Sequence, residues 1–316
     1  MTRLPVGVIG VGALGRHHAR HLAAAAGAQL VGVNDIDEAR GREVADSVGS
    51  RFYGDLDELL SAVEAVTVAV PTGVHAAIGL HALGRGKAVL MEKPLASSLA
   101  EADALLAAAD RAGVPLQVGH VERFNRAVRA AEPYLGEVRY FESTRLAPFQ
   151  PRGTDVAVIL DLMIHDLDLV LHLCRGSLPR DVRASGVNVL TPRVDIANAR
   201  VEFANGAVAN ITASRVARER VRRLRLFQTN GYFSLDLAAG TGVFMRLKPD
   251  RPAVSAALED VVETIPLEAP ERDALGLELA SFVASVSGTN NGVVTGVEGR
   301  AALALALRVS AAVAGA

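Results

Sequence analysis

Three groups of residues in this 316-residue chain have types and spacings that could do chemistry. The first is Val6-Gly7-Val8-Ile9-Gly10-Val11-Gly12-Ala13-Leu14-Gly15, an apolar strand-like run leading through G-x-G-x-x-G into a helix-favouring stretch. Gly10 permits a tight turn, Gly12 lets a pyrophosphate approach the backbone, and Gly15 lets the helix pack close on the strand. The start of that helix supplies N–H groups and a favourable dipole for phosphate. Gly10, Gly12, Ala13, Leu14 and Gly15 are therefore expected to cradle a dinucleotide. Asp35 stands twenty residues after Gly15, at the end of the next apolar run. A carboxylate there can accept from both ribose hydroxyls and repels a 2′-phosphate, and the neighbouring Ile36 brings no positive charge. NAD is the expected cofactor.

The second group is Met91-Glu92-Lys93-Pro94, closing the strand-like run Ala88–Met91. Ligands of open α/β sheets bind at the carboxyl ends of strands, so an amine in this place has access to chemistry. The third is Asp161-Leu162-Met163-Ile164-His165-Asp166-Leu167-Asp168. On a regular helix Asp161 and His165 share one face, while Leu160, Ile164, Leu167 and Leu171 mark the apolar side. That spacing fits a proton-handling pair, half of a zinc site, or an ordinary hydrogen-bonded pair. His17, His18 and His21, on the helix after the glycine loop, read as structural or surface residues, and no metal is expected.

These groups need elements to hold them. Val6–Ile9, Leu30–Val33, Val66–Val70, Ala88–Met91 and Leu116–Val118 read as strands buried on both faces. They alternate with helical stretches Leu14–Ala26, Glu38–Val48, Leu56–Ser61, His75–Gly84 and Leu99–Ala112. Such alternation predicts a parallel sheet covered by helices, with Gly27, Gly84 and Gly113 closing three of them. After about residue 136 the pattern becomes antiparallel: Arg139–Arg145, Val182–Leu190, Ile196–Phe203, Ala207–Ser214, Arg222–Gln228, Tyr232–Leu237 and Val243–Leu247, with a hairpin at Asn205-Gly206. One helix, about Val156–Leu173, interrupts these strands, and two more, about Glu271–Ser287 and Glu298–Val313, end the chain. The expected fold is α/β: a Rossmann dinucleotide-binding domain over residues 1–120, then an α+β domain over 121–316 with a large open, mainly antiparallel sheet. The terminal helix is free to pack back on the first domain. An open sheet with helices on one face needs cover on the other, which predicts a homodimer or homotetramer formed through it.

Composition narrows the function. Thirty-three basic residues against 35 acidic ones create no field for nucleic acid or an anionic membrane. The local cluster Arg215, Arg218, Arg220, Arg222, Arg223 and Arg225, interrupted by Glu219, reads as a solvated strand face. Cys174, the one cysteine, sits in an apolar run as a small buried filler, and no stretch reaches the length of a membrane helix. A cytoplasmic protein is expected.

Taken together, the glycine loop, Pro71-Thr72-Gly73-Val74-His75, Glu92-Lys93-Pro94, Arg123-Phe124-Asn125, the Asp161/His165 segment and the C-terminal helices resemble the glucose–fructose oxidoreductase / inositol dehydrogenase / rhizopine catabolism (Gfo/Idh/MocA) family. The resemblance implies that Lys93, Asp161 and His165 are catalytic and that the Lys93–Pro94 peptide is cis. It also sets Thr72, His75, Glu92 and Lys93 beside the cofactor. Arg126 stands where the family usually has proline. Gln117–Asn125, Pro151-Arg152-Gly153-Thr154-Asp155 and Asp195–Arg200 are similar to the subgroup that oxidises the 3-hydroxyl of UDP-N-acetylglucosamine in lipid A biosynthesis, whose product goes to an aminotransferase. Arg123, Asn125 and Arg152 are the candidate substrate contacts.

Alcohol oxidation suits these residues. It sends a hydride to nicotinamide and a proton to a base, and a histidine has an ordinary pKa of about 6.5, fitted to that proton at neutral pH. Lys93 can stabilise the developing alkoxide while Asp161 orients the base or the hydroxyl. Lys93 as base with His165 polarising the oxygen is the other assignment, and both stay open. The competing functions are a dehydrogenase of free sugars, inositols or other small molecules on the same fold, and a non-catalytic NAD-binding regulator. The intact Lys93, Asp161 and His165 weigh against the regulator.

Overall fold

The computed structural model describes residues 3–150, 156–250, 257–289 and 294–315. The chain divides into two units: Met1–Val121 with Arg272–Leu303, and Glu122–Glu271 with Ala304–Ala316. In the first, the strands are β1 (Leu4–Ile9), β2 (Ala28–Asn34), β3 (Arg51–Tyr53), β4 (Ala65–Val68), β5 (Ala88–Glu92) and β6 (Leu116–Gly119). They form one parallel sheet in the order β3-β2-β1-β4-β5-β6. The helices between them are α1 (Gly15–Ala24), α2 (Glu38–Ser47), α3 (Leu56–Ala62), α4 (His75–Gly84) and α5 (Leu99–Ala112). The strand order reverses between β1 and β4, so the connections leaving their carboxyl ends run in opposite directions and leave the crevice in which such sheets bind ligands.

Side chains buried on both faces explain the apolar runs: every residue of β4 and β5 is buried. The core under α1 gathers Leu4, Val6, Val8, Leu22 and Val33 with Leu279, Phe282 and Val283. Those last three come from α9 (Ala274–Val286), so a late helix completes the core of the first sheet. Of the three glycines expected to close helices, Gly113 does so in left-handed geometry (φ 65°). Helices α1 and α4 end instead at Ala25 and Arg85.

The second unit contains α6 (Arg126–Ala131), β7 (Val138–Leu146), α7 (Ile164–Leu173), β8 (Pro179–Val187), β9 (Ile196–Phe203), β10 (Val208–Ser214), β11 (Val221–Gln228), β12 (Gly231–Asp236), β13 (Thr241–Leu247), α8 (Leu258–Val261) and β14 (Val262–Leu267). Its sheet runs β14-β13-β12-β11-β7-β10-β9-β8, antiparallel except where β7 and β10 run parallel. The last helix, α10 (Gly296–Ala314), begins in the first unit and ends in the second.

Four differences from the sequence reading have local causes. Strand β3 is too short to show a pattern, and β14 carries Pro266, which an edge strand tolerates because one side of its backbone lacks a partner. Strand β8 ends at Val187 rather than Leu190. There the N–H groups of Val189, Leu190 and Thr191 turn inward to one carboxylate oxygen of fully buried Asp195, at 2.9, 2.7 and 2.8 Å. Burial opposes that carboxylate's charge, but the N–H and hydroxyl of Thr191 and the N–H groups of Val189 and Leu190 outweigh it and hold its pKa at about 2. The helix expected from Val156 opens instead with a π turn, Ile159–Met163, in which the Ile164 N–H reaches back to the Ile159 carbonyl.

A buried charge cluster fastens α7 to the sheet. Arg145 on β7 donates from Nε to Asp166 Oδ2 at 2.6 Å, from Nη2 to Asp166 Oδ1 at 3.2 Å, and from Nη1 to Glu122 Oε1 at 2.8 Å. Ser143 adds a hydroxyl to Asp166 at 2.7 Å. Although burial disfavours its charge, the two carboxylates hold the Arg145 pKa above the usual arginine range.

Two predictions follow the physics of these buried groups. Arg145→Ala strands two carboxylates in the interior and should destabilise the protein by about 3–5 kcal/mol, measured by urea unfolding; a loss under about 1 kcal/mol at unchanged urea dependence would contradict the pairing. The depressed Asp195 pKa means that its contribution is complete above the unfolded value of about 3.9 and disappears as pH falls toward about 2. Asp195→Asn should therefore flatten the acid limb of stability between about pH 4 and 2. An unchanged limb would show that Asp195 does not supply it.

Candidate functional site

The glycine loop has the shape its spacing predicts. Gly10 adopts φ 80°, and a Cβ there would lie 2.8 Å from the Ala69 carbonyl oxygen. A Cβ on Gly15 would come within 1.8 Å of the Gly10 carbonyl oxygen, so α1 can begin this close to the turn only without a side chain. In front of Gly12 a Cβ would meet nothing within 4 Å, which leaves the open ground that a diphosphate requires. Leu14, the N-cap of α1, makes no side-chain cap, and the first turn carries no acidic residue. The positive end of the helix is thus not compensated by its own side chains, and these residues fit the diphosphate of a dinucleotide.

Asp35 ends the segment after β2 with its side chain nearly buried. Its Oδ2 accepts the Val11 N–H at 2.8 Å, tying the glycine loop to the neighbouring strand end, and Oδ1 accepts the Asp37 N–H at 2.9 Å. Arg40 adds a fork, Nη2 to Oδ1 at 2.6 Å and Nε to Oδ2 at 3.2 Å. Burial raises the carboxyl's pKa, but these hydrogen bonds, led by Arg40, prevail and hold it below the ordinary aspartate value. The sequence reading considered only Ile36 as a charge neighbour. Ile36 is wholly exposed, and the cation comes from the first turn of α2.

Lys93 directly follows β5, half-buried, and the Lys93–Pro94 peptide is cis as expected. Two buried histidines brace this strand end. His75 Nδ1 lies 2.9 Å from the Pro94 carbonyl and its Nε2 lies 2.9 Å from the Val70 carbonyl, joining the chain after β4 to the chain after β5. Burial lowers the His75 pKa against the pull of those carbonyls. A neutral ring can donate to only one of these carbonyls at a time, and the buried imidazole acts as a strut between the two strand ends. Glu92 faces His18 on α1 at 3.0 Å and accepts the Lys93 N–H at 3.2 Å. It links the phosphate-loop helix to the lysine. Thr72 begins the 3-10 turn Thr72–Val74, and its carbonyl lies 3.3 Å from the Ser97 hydroxyl.

In the second unit, Asp161 lies within the π turn and His165 in the first turn of α7, both half-buried. The shared-face argument assumed one regular helix, so the wider turn changes the geometric relation between these residues. Arg215 stands 3.9 Å from the Asp161 carboxylate and 3.8 Å from that of Asp195, and donates to the Val156 carbonyl at 2.8 Å. It is buried, not part of a solvated strand face, and Arg222 of the same cluster reaches Glu122 at 3.4 Å. Among the described residues no three His, Cys, Asp or Glu side chains gather as metal ligands. Burial pushes the Cys174 thiol up to about 12, which suits a filler.

Two of the expected substrate contacts turn inward. Arg123 grips Asp168 with Nε at 2.8 Å and Nη2 at 2.7 Å, while Nη1 lies 3.0 Å from His172 Nδ1. Asn125 caps α6 by accepting the Ala127 N–H at 3.0 Å, and its amide donates to Glu122 at 2.9 Å and to the Leu237 carbonyl at 2.8 Å. Both residues thus brace and cap the fold. The asparagine cap also starts α6 at Arg126, where the family's proline is missing. Arg152 lies outside the described residues. Arg40 and Arg145 were missed, while His18 was read as a structural or surface residue and Arg215 as part of a solvated strand face. Only Arg40 had a local signal, as a cation five residues from Asp35 across a strand-to-helix turn.

Comparison with known proteins agrees with this architecture. A family model described as an oxidoreductase family with an NAD-binding Rossmann fold matches residues 4–120, and one described as the GFO/IDH/MocA C-terminal domain matches residues 127–234. The chain is 40% identical over 315 residues to UDP-N-acetylglucosamine 3-dehydrogenase of Acidithiobacillus ferrooxidans, covering 99% of this chain and 98% of that one. Superposition on the solved structure of that organism's UDP-N-acetylglucosamine 3-dehydrogenase GnnA gives a TM-score of 0.92 over 99% of this chain and 98% of the other. GenD2 from gentamicin A biosynthesis, solved in complex with NAD, is 25% identical with a TM-score of 0.84 over 99% of this chain and 95% of that one. The chain belongs to the GFO/IDH/MocA family of NAD-binding oxidoreductases.

Proposed function

We propose that the chain oxidises the 3-hydroxyl of UDP-N-acetylglucosamine to a ketone with NAD. The observation that carries this reading is the 40% identity to the Acidithiobacillus enzyme, extending over nearly the full length of both chains. Relatives that act on other polyols are more distant: myo-inositol 2-dehydrogenase of Thermotoga maritima is 28% identical over 95% of this chain. In the proposed reading the protein works in the cytoplasm, in lipid A biosynthesis, and its ketone goes to an aminotransferase. No described helix is long and apolar enough to cross a membrane. The sheet of the second unit supports a homodimer or homotetramer, because Tyr140, Phe227 and Tyr232 form an aromatic row on it, with ring centroids 5.6 and 5.2 Å apart.

Bound at the glycine loop and Asp35, NAD would supply the hydride acceptor. The chain's own residues handle the remaining proton and charge. His165 takes the hydroxyl proton at an imidazole nitrogen, the Lys93 ammonium hydrogen-bonds the oxygen as negative charge develops on it, and Asp161 orients the base or the hydroxyl. In the alternative assignment the roles exchange, with Lys93 as the base and His165 polarising the oxygen. Gly10, Gly12, Ala13, Leu14 and Gly15 hold the diphosphate and Asp35 the adenosine ribose, with Thr72, His75 and Glu92 supporting the Lys93 end. Arg123, Asn125 and Arg152 are the candidate substrate contacts.

Reduced-nicotinamide absorbance on mixing protein and NAD with UDP-N-acetylglucosamine should rise, while free N-acetylglucosamine, glucose and inositols give little or nothing. A faster rise with an inositol or a free sugar overturns the substrate assignment, and no rise with any of them favours the regulator. Lys93→Ala and His165→Ala should each lower turnover by about 100- to 10,000-fold while NAD binding stays near wild type. If His165 is the base, the acidic limb of the pH–rate profile disappears in its variant. Near-wild-type turnover in both variants, with the chemical step rate-limiting, would remove this catalytic assignment.

A further inference from the structure

Arg40 occupies a place that helix energetics does not explain. It lies in the first turn of α2, where a cation opposes the helix dipole, and the N-cap there is already made by Asp37, which accepts the Arg40 N–H at 3.1 Å. What holds the guanidinium is the pair of carboxylates. Nε and Nη2 fork onto Asp35, and Nη1 donates to Asp37 Oδ2 at 3.1 Å. The Asp35 side chain is 3% exposed and that of Arg40 35%, so the cation sits at the solvent edge over a buried anion.

This arrangement alters what Asp35 can do to a nucleotide. An ionised carboxylate offers about four acceptor positions. Here four N–H groups already point at it: Val11 N, Asp37 N, Arg40 Nε and Arg40 Nη2. Ribose hydroxyls must therefore displace or share the arginine's bonds, which weakens NAD. A 2′-phosphate, in turn, meets an anion whose charge is matched, beside a planar cation suited to phosphate. With Asp37 counted, the cluster keeps one net negative charge, so NAD remains the better ligand by a reduced margin. We propose that Arg40 is a specificity-determining residue of the nucleotide site, narrowing this chain's preference for NAD over NADP. The inference rests on the family's NAD site and is independent of the sugar substrate proposed above.

Isothermal titration calorimetry of the full chain with NAD and with NADP, in the absence of sugar, reads the effect directly as the ratio of the two dissociation constants. Arg40→Ala should raise the NADP-to-NAD ratio by about tenfold, mainly by weakening NADP, and Arg40→Lys should stay between that variant and wild type. Arg40→Gln, which keeps the length and a donor while losing the charge, should behave like Arg40→Ala and guards against a packing defect. Asp35→Ala should collapse the ratio toward unity or below, because the repulsive charge is gone and the guanidinium is released to the 2′-phosphate. A ratio in both neutral Arg40 variants within about threefold of wild type, or a fall in it, overturns the proposal.

Discussion

The Arg145 guanidinium stays protonated wherever it is placed, so carrying it under the sheet obliges Glu122 and Asp166 to meet it there. Much of the second unit follows from that meeting. Glu122 fixes the short turn that opens the unit, Asp166 fixes α7, and the pattern repeats as Arg123 grips Asp168, two residues further along the same helix. The first unit uses a milder version. His18 on α1 meets Glu92 at the end of β5, and the dinucleotide loop and the lysine-bearing turn are held by one contact.

Such pairs contribute less to stability than an apolar core of the same volume, because both charges lose their water. What they supply is direction. A leucine in a core tolerates small shifts, whereas a bidentate arginine–carboxylate pair has one good geometry. His165 immediately precedes Asp166 in the chain, so the residue proposed to move a proton is positioned by a neighbour that cannot slide. Asp161, four residues earlier, stands under a different regime. It sits on a π turn, held by Arg215 and indirectly by the Asp195 loop. Widened turns of this kind recur at functional sites because they re-aim a side chain without ending the helix.

How much of this was legible in the residues follows from the range of each signal. The glycine loop, Asp35, the alternating strands and helices of the first unit and the Asn205-Gly206 hairpin are local patterns, and local patterns are visible in a sequence. Lys93 and the aspartate–histidine segment became candidates only together, through family resemblance, since a lysine before proline or two polar residues four apart is common. The buried ion pairs were invisible. Arg145 and Asp166 are 21 residues apart and Arg123 and Asp168 are 45 apart, and nothing in either neighbourhood marks a charge as interior. The same blindness hid the bracing and capping bonds of Arg123 and Asn125: polar residues in a loop look alike until their partners are known. The π turn escaped for another reason, because the apolar spacing of Val156–Leu173 fits a regular helix well enough to hide one widened turn.

The core beneath α1 has a further consequence, for the order in which the molecule can be made. Leu279, Phe282 and Val283 pack with Val6, Val8 and Leu22, yet they lie beyond every strand of the second sheet in the chain. During synthesis the nucleotide-binding sheet leaves the ribosome first and then waits, its α1 side lacking apolar cover, while some 150 further residues are added. The first domain to be born is among the last to be finished. A nascent chain stalled before residue 274 would thus present an incomplete nucleotide domain to chaperones and proteases, whatever the state of the sheet that follows it.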